Sequence, residues 1–202
     1  MFDIQVRKQI DPWLDKIAGV LARLGVRPNA ITWFGLCVGL GASLSIALGG
    51  FTIGFVLIAI NRLCDGLDGC VARYTGKTDL GGFLDIALDM IFYASIPFGF
   101  ALVNQSNALP AAYLLFSFFG SGTSFLAYAI ITSKRGVVAD NAGKKSFFYS
   151  TGLIEGTETA VFLLLICLIP SHFATCAWIF GTLCWFTTAI RIRIATVEFS
   201  EV

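Results

Sequence analysis

Six apolar segments, at approximately 31–49, 51–73, 80–103, 109–132, 150–169 and 172–194, dominate this sequence of 202 residues. Each is close to the ~20 residues that an α-helix needs to cross a hydrocarbon layer about 30 Å thick. In lipid a backbone must satisfy its own hydrogen bonds, so only helices and closed barrels can span it. The alternation of polar and apolar residues that marks strands is absent, which leaves helices. Composition agrees, with 56% of residues hydrophobic and 13% charged, roughly half the charge of a soluble domain. The breaks between segments are Gly49-Gly50, Gly76-Lys77, Asn104 to Asn107, Ser133 to Lys145 and Pro170-Ser171. No internal repeat is visible. The expectation is an all-α, polytopic integral membrane protein with six transmembrane helices.

Residues 1–30 are polar by comparison and form a juxtamembrane segment ahead of a six-helix domain at 31–202. They carry charge and no small-residue cleavage site, so a removable signal peptide is not expected. Asp11-Pro12 reads as a helix start, with a capping aspartate and a proline in the first turn. Beyond it Trp13, Leu14, Ile17, Val20, Leu21 and Leu24 recur at helical spacing, opposite Asp15, Lys16 and Arg23. Such a helix suits the membrane interface, and equally a place packed beneath the bundle. The six cysteines, Cys37, Cys64, Cys70, Cys167, Cys176 and Cys184, fall in apolar segments without metal-ligand spacing. They read as small buried hydrophobes.

Charge sets the orientation. All fourteen Lys and Arg residues lie in the N-terminal segment, around the second and fourth connections, or near the C-terminal end. The connections near 50, 104–108 and 170–171 hold none. This is the positive-inside pattern, with both termini and any active site expected on the cytoplasmic side of the membrane.

Four acids break the apolar rule. Asp65 and Asp68 are three residues apart, Asp85 and Asp89 four apart, so each pair shares one helix face. With a turn at Gly76-Lys77, the two helices are expected to form an antiparallel hairpin that gathers all four carboxylates. Gly66, Gly69 and Ala72 would clear space beside them. Four converging carboxylates repel one another and call for a counter-charge. Oxygen ligands favour Mg²⁺, Mn²⁺ or Ca²⁺, and a two-metal site suits four carboxylates and phosphoryl chemistry. The bland alternative is that these acids cap helices or pair with Arg62, Arg73 and Lys77.

The string Asp65-Gly66-Leu67-Asp68-Gly69-Cys70-Val71-Ala72-Arg73, continuing to Gly81, Asp85 and Asp89, resembles the motif of the CDP-alcohol phosphotransferase family. Its spacer between Arg73 and Gly81 is one residue shorter than the family pattern. Pro28, Asn29 and Thr32 resemble a second family segment before the first span. The resemblance implies attack by a small alcohol on a CDP-linked lipid such as CDP-diacylglycerol, with release of CMP. It implies Mg²⁺ or Mn²⁺, two ions per site, held by Asp65, Asp68, Asp85 and Asp89, with Asp89 also the general base. Pro28, Asn29, Thr32, Asp65, Gly69, Ala72, Arg73, Thr78 and Gly81 would bind the CDP-lipid, Arg73 and Thr78 through its phosphates. A homodimer is implied, and no nucleic-acid partner is expected.

The acceptor stays open. Lys134, Arg135, Lys144, Lys145, Arg191 and Arg193 either hold loops inside or form an anionic pocket for a phosphorylated polyol such as glycerol 3-phosphate or an inositol phosphate. Glu155 and Glu158 either bind the ammonium of serine, ethanolamine or choline, or cap a helix. The balance tilts to the phosphorylated class. Two other classes place acids in membranes: intramembrane prenyltransferases, whose paired aspartates lie on distant helices, and divalent-cation transporters, which need acids along a path near the midplane.

Overall fold

The computed structural model describes residues 3–135 and 154–200, with side chains from residue 12 onward. Seven α-helices are described: α1 Asp3–Arg23, α2 Pro28–Ala47, α3 Phe51–Thr75, α4 Asp79–Val103, α5 Ala108–Lys134, α6 Gly156–Leu168 and α7 Phe173–Ser200. Single 3₁₀ turns at Gln105–Asn107 and Pro170–His172 lead into α5 and α7. No strand occurs among the described residues.

Four helices are long and apolar enough to cross a membrane: α2, α4, α5 and α7, the last two counted with their leading turns. The described residues therefore form an all-helical membrane fold, in which four of the expected six spans stand on length and composition. The other two fail for different reasons. Helix α3 runs 25 residues but carries Arg62, Asp65, Asp68 and Arg73 along its second half. Helix α6 has 13 described residues, or about 20 Å of rise, and residues 150–153 of the expected fifth span lie outside the described part.

The N-terminal helix also differs from expectation. It does not start at Asp11-Pro12 but runs unbroken from Asp3 with Pro12 inside it. A proline removes one backbone donor and crowds one carbonyl, which bends a helix without forbidding helix on both sides. Leu14 and Ala18 of α1 are buried against Cys70 and Val71 of α3. The opposite stripe, Trp13, Ile17, Val20 and Leu24, stays exposed, so one face packs on the bundle while the other remains apolar and open.

Helix α2 is the spine of the N-terminal half, and both α3 and α4 pack principally along it rather than on each other. The two helices of the expected α3–α4 hairpin thus meet chiefly through a third, and they still bring the four aspartates to one cavity. Small residues on α2 explain the arrangement. A Cβ at Gly39 would fall 2.5 Å from the Phe92 ring of α4, and one at Gly35 would fall 3.1 Å from the Cys64 Cβ of α3. Lower along the same seam, the Ser43 hydroxyl donates to the Ser95 carbonyl at 2.5 Å. Close backbone approach through small residues drives helix association where the hydrophobic effect is absent. The opposite face of α2, with Trp33, Phe34, Leu40 and Leu44, is exposed and apolar. Cys37 is exposed too, unlike the buried position expected for all six cysteines.

The α2–α4 seam offers a stability test. A Cβ at Gly99 would sit 2.6 Å from the Ser43 carbonyl oxygen, a backbone atom that cannot rotate away. Gly99→Ala should destabilise the bundle by about 1–3 kcal/mol, the usual cost of overpacking, seen as a lower melting temperature in detergent. A melting temperature equal to wild type would refute the close crossing.

Elsewhere α5 pairs with α7, and α4 joins the halves through α5. The core between them is aromatic, with Phe100 stacked on Phe173 at 4.3 Å and Phe162 on Phe180 at 3.9 Å between ring centroids.

Candidate active site

The splay of α3 and α4 over α2 opens a small cleft, and the motif residues fall on its walls. Thr78 caps α4, its hydroxyl accepting from the Gly81 N–H at 3.0 Å, which fixes where Asp85 and Asp89 begin their helical climb. The turn before it ends α3 at Gly76, whose φ of 101° only glycine adopts without strain. On the facing helix the i, i+3 spacing brings Asp65 and Asp68 to the same side. All four aspartates, with Thr32 of α2, line one cavity of about 20 Å³. That volume holds a water or an ion and little more.

The four carboxylates are not alike. Asp68 is 4% exposed, lies beside the Thr32 hydroxyl, and its Oδ2 is buried without a hydrogen-bond partner. An orphaned carboxylate oxygen out of water is costly and calls for a cation or a donor. Asp85 is exposed at the mouth. Asp65 and Asp89 face one cation. The Arg62 guanidinium is hydrogen-bonded to Asp89 through Nη2 and lies 3.6 Å from Asp65 through Nη1. The same group donates to the Tyr93 hydroxyl at 2.9 Å and to Asn61 Oδ1 at 2.8 and 2.6 Å. It also stacks on the Phe92 ring, 4.3 Å from its centroid. Asn61 in turn donates to the Gly35 carbonyl at 2.8 Å, tying the network to α2.

The donor chemistry fits a hard divalent cation: four carboxylates with the Thr32 hydroxyl beside them, one carboxylate oxygen orphaned, and among the described lining residues one guanidinium against four acids. Among the described residues, however, no three acidic, histidine or cysteine side chains stand close enough to ligate an ion as arranged. Asp65 and Asp89 are instead drawn to Arg62, the pairing weighed from sequence as the bland alternative.

The remaining motif residues divide. A Cβ at Gly69 would meet nothing within 4 Å, so the space beside Asp68 is open. Gly66 is not part of that opening, because a Cβ there would lie 2.8 Å from Leu14 of α1. Gly81 is packed as well, its added Cβ 3.1 Å from Thr78 Oγ1 and 3.3 Å from Asn29 Oδ1. Asn29, Thr78 and Gly81 thus lock the start of α2 to the start of α4, with Pro28 in the first turn of α2. Ala72 is half-buried. Arg73 turns away from the cavity to Asp15 of α1 at 2.9 Å, and its hydrogen bond holds that exposed carboxyl below its ordinary range.

The residues considered for the acceptor have structural partners. Glu155 and Glu158 form a capping box at the start of α6, satisfying orphan N–H groups of the first turn. Arg191 donates to the Ser121 carbonyl at 2.8 Å and to Ser124 Oγ at 2.9 Å on α5. Arg135 reaches the Glu198 and Phe199 carbonyls at 3.2 and 3.0 Å. Lys134 is exposed in the last turn of α5, and Lys144 and Lys145 lie outside the described residues. What the sequence reading missed is the Asn61–Arg62–Tyr93 network. Its signal was available: Arg62 stands three residues before Asp65, and Tyr93 four after Asp89, both within helical reach.

Apolar helices that gather four carboxylates in one cleft define a membrane protein with an acidic site, one carboxylate oxygen of which is buried without a hydrogen-bond partner. The chain belongs to the CDP-alcohol phosphatidyltransferase family, whose model matches residues 25–192, and it is an enzyme of that family. It is 46% identical over 193 residues to inner membrane protein YnjF of Escherichia coli, covering 95% of this chain and 94% of that protein. Over 99 residues it is 38% identical to the archaetidylinositol phosphate synthase of Pyrococcus horikoshii, covering 48% of this chain and 53% of the other. The same fold is seen in the phosphatidylinositol phosphate synthase of Mycobacterium tuberculosis. Its structure with CDP-DAG bound matches at a TM-score of 0.65 and 21% identity, over 89% of this chain and 92% of that one. A second structure of that enzyme, in complex with manganese and citrate, matches at 0.64 and 20%, over 89% and 87%.

Proposed function

We propose that this enzyme transfers the phosphatidyl group of CDP-diacylglycerol, or a related CDP-lipid, to a phosphorylated polyol and releases CMP. The observation that carries the reading is the single cleft lined by Asp65, Asp68, Asp85 and Asp89, with a buried Asp68 oxygen left without a partner. Asp65, Asp68, Asp85 and Asp89 would hold Mg²⁺ or Mn²⁺, two ions by the count of carboxylates. Bound there, such ions supply positive charge for the pyrophosphate and the departing CMP.

The chain's own groups do the rest. Asp89 accepts the proton of the acceptor hydroxyl as that oxygen bonds to the β-phosphorus and the bond to CMP breaks. The open space at Gly69 lets the nucleotide lie against α3. Thr32 orients Asp68. Asn29, Thr78 and Gly81 fix the helix starts that aim both aspartate pairs, and Arg73 keeps α1 against α3.

The positive-inside pattern supports a cytoplasmic cleft and the Escherichia coli relative, an inner membrane protein by name, supports a bacterial inner membrane, with α3 and the fifth apolar segment completing six crossings around the cleft. The exposed apolar stripe of α1 suits an interfacial position. A homodimer would follow the family. For the acceptor, two partial relatives are by name an archaetidylinositol phosphate synthase and a phosphatidylinositol phosphate synthase, and Glu155 and Glu158 are engaged in a cap. Both favour inositol phosphate or glycerol 3-phosphate over serine, ethanolamine or choline.

The test is an acceptor screen with the purified full chain, CDP-diacylglycerol and Mn²⁺ or Mg²⁺, reading CMP and the lipid product by mass. Turnover is expected with a phosphorylated polyol. Turnover with amino alcohols alone would overturn the acceptor class, and no CMP with any alcohol would overturn the reaction.

A further inference from the structure

We propose that Arg62 is a resident counter-cation, which clasps Asp65 and Asp89 until a divalent ion takes those carboxylates from it. The proposal rests on the metal-dependent reading above and adds a role to a residue outside the aspartate motif.

Arg62 has two sets of partners. One set is charged and spans the cleft: Asp89 on α4 and Asp65 one turn along α3. The other is neutral: Asn61 Oδ1, the Tyr93 hydroxyl and the faces of Phe92 and Tyr93, at 4.3 and 4.9 Å. A guanidinium that lost its carboxylates would therefore keep hydrogen bonds and two aromatic faces. It need not return to water to give them up. The side chain is only 14% exposed, so the charge is largely withdrawn from solvent, where ion pairing is strong.

Without Arg62 the carboxylates of Asp65 and Asp89 would face one another across the cleft without that guanidinium between them. With it, two are paired, and no three acidic groups among the described residues are left in position to ligate an ion. Asp68 and Asp85 stay outside the clasp, Asp68 deeper in the cleft with its Oδ2 buried and without a hydrogen-bond partner. Arg62 and an incoming dication therefore compete for Asp65 and Asp89. Like charges in one small cavity add to the competition.

The measurement is Mn²⁺ affinity of the purified full chain without lipid or alcohol, read by electron paramagnetic resonance of free Mn²⁺. Arg62→Gln should bind Mn²⁺ about tenfold more tightly than wild type. Arg62→Lys should bind about threefold more tightly, since an ammonium lacks the fork that holds two carboxylates at once. The lysine variant also covers the case in which the neutral one does not fold. In an Asp89→Asn background the gain from Arg62→Gln should shrink below threefold, because the contested carboxylate is gone. Unchanged or weaker binding in either Arg62 variant would overturn the clasp, as would a full tenfold gain persisting with Asp89→Asn. Wild type and variants that bind no Mn²⁺ at millimolar concentration would overturn the metal-dependent reading along with it.

Discussion

Asp89→Asn should lower CMP release by about 10²–10⁴-fold, the range that a positioned general base contributes. The substitution keeps the shape of the side chain and an oxygen for Arg62 Nη2 to bond, so the α3–α4 cleft should stay formed. What it removes is the negative charge and the capacity to take the hydroxyl proton. Initial rates of CMP release, beside melting temperatures of the two proteins in detergent, separate chemistry from folding. Asparagine cannot accept that proton, so turnover close to wild type would remove Asp89 from the base role. A melting temperature far below wild type would mean that the loss is structural.

Stripping divalent ions should have an effect of similar size. Four carboxylates line a cleft that among the described residues holds one guanidinium, and that guanidinium is already committed to two of them. A pyrophosphate brought beside these acids without further positive charge would be repelled. The charge stabilisation lost with the ions amounts to several kcal/mol, or a fall of at least about 10²-fold in rate. Exhaustive chelation should abolish CMP release, and Mn²⁺ or Mg²⁺ added back should restore it. Rates that survive chelation would rule out the metal-dependent reading. Binding of the CDP-lipid, followed separately, would show whether the ions act on affinity or on the chemical step.

Several parts of this protein were legible in the residues because they depend on near neighbours. Apolar runs bounded by Gly49-Gly50, Gly76-Lys77 and Pro170-Ser171 mark where α2, α3, α4 and α7 begin or end. Helical periodicity alone puts Asp65 with Asp68 and Asp85 with Asp89 on common faces. Other parts were misread where a local rule had a tertiary exception. Pro12 looked like a helix start but sits inside α1, since nothing local says whether helix precedes it. For Glu155 and Glu158 a ligand and a cap were both open from sequence, and the reciprocal cap is how α6 begins. Arg73 looked like a phosphate contact because of its place in the motif; Asp15, far away in sequence, holds it instead.

The sequence by itself determined that this chain is helical, that it lives in lipid, and that four acids on two helix faces would need positive charge. These follow from spacing and solvent, which act over a few residues. Only the tertiary structure decided how the faces meet. Glycines 35 and 39 let α3 and α4 lie against α2 instead of each other, and the gap left between them is the cleft. It also decided which positive charge the acids meet: Arg62, held by Asn61, Phe92 and Tyr93 from two helices. Contacts between residues distant in sequence depend on backbone approach and side-chain packing, and no pattern along one segment encodes them.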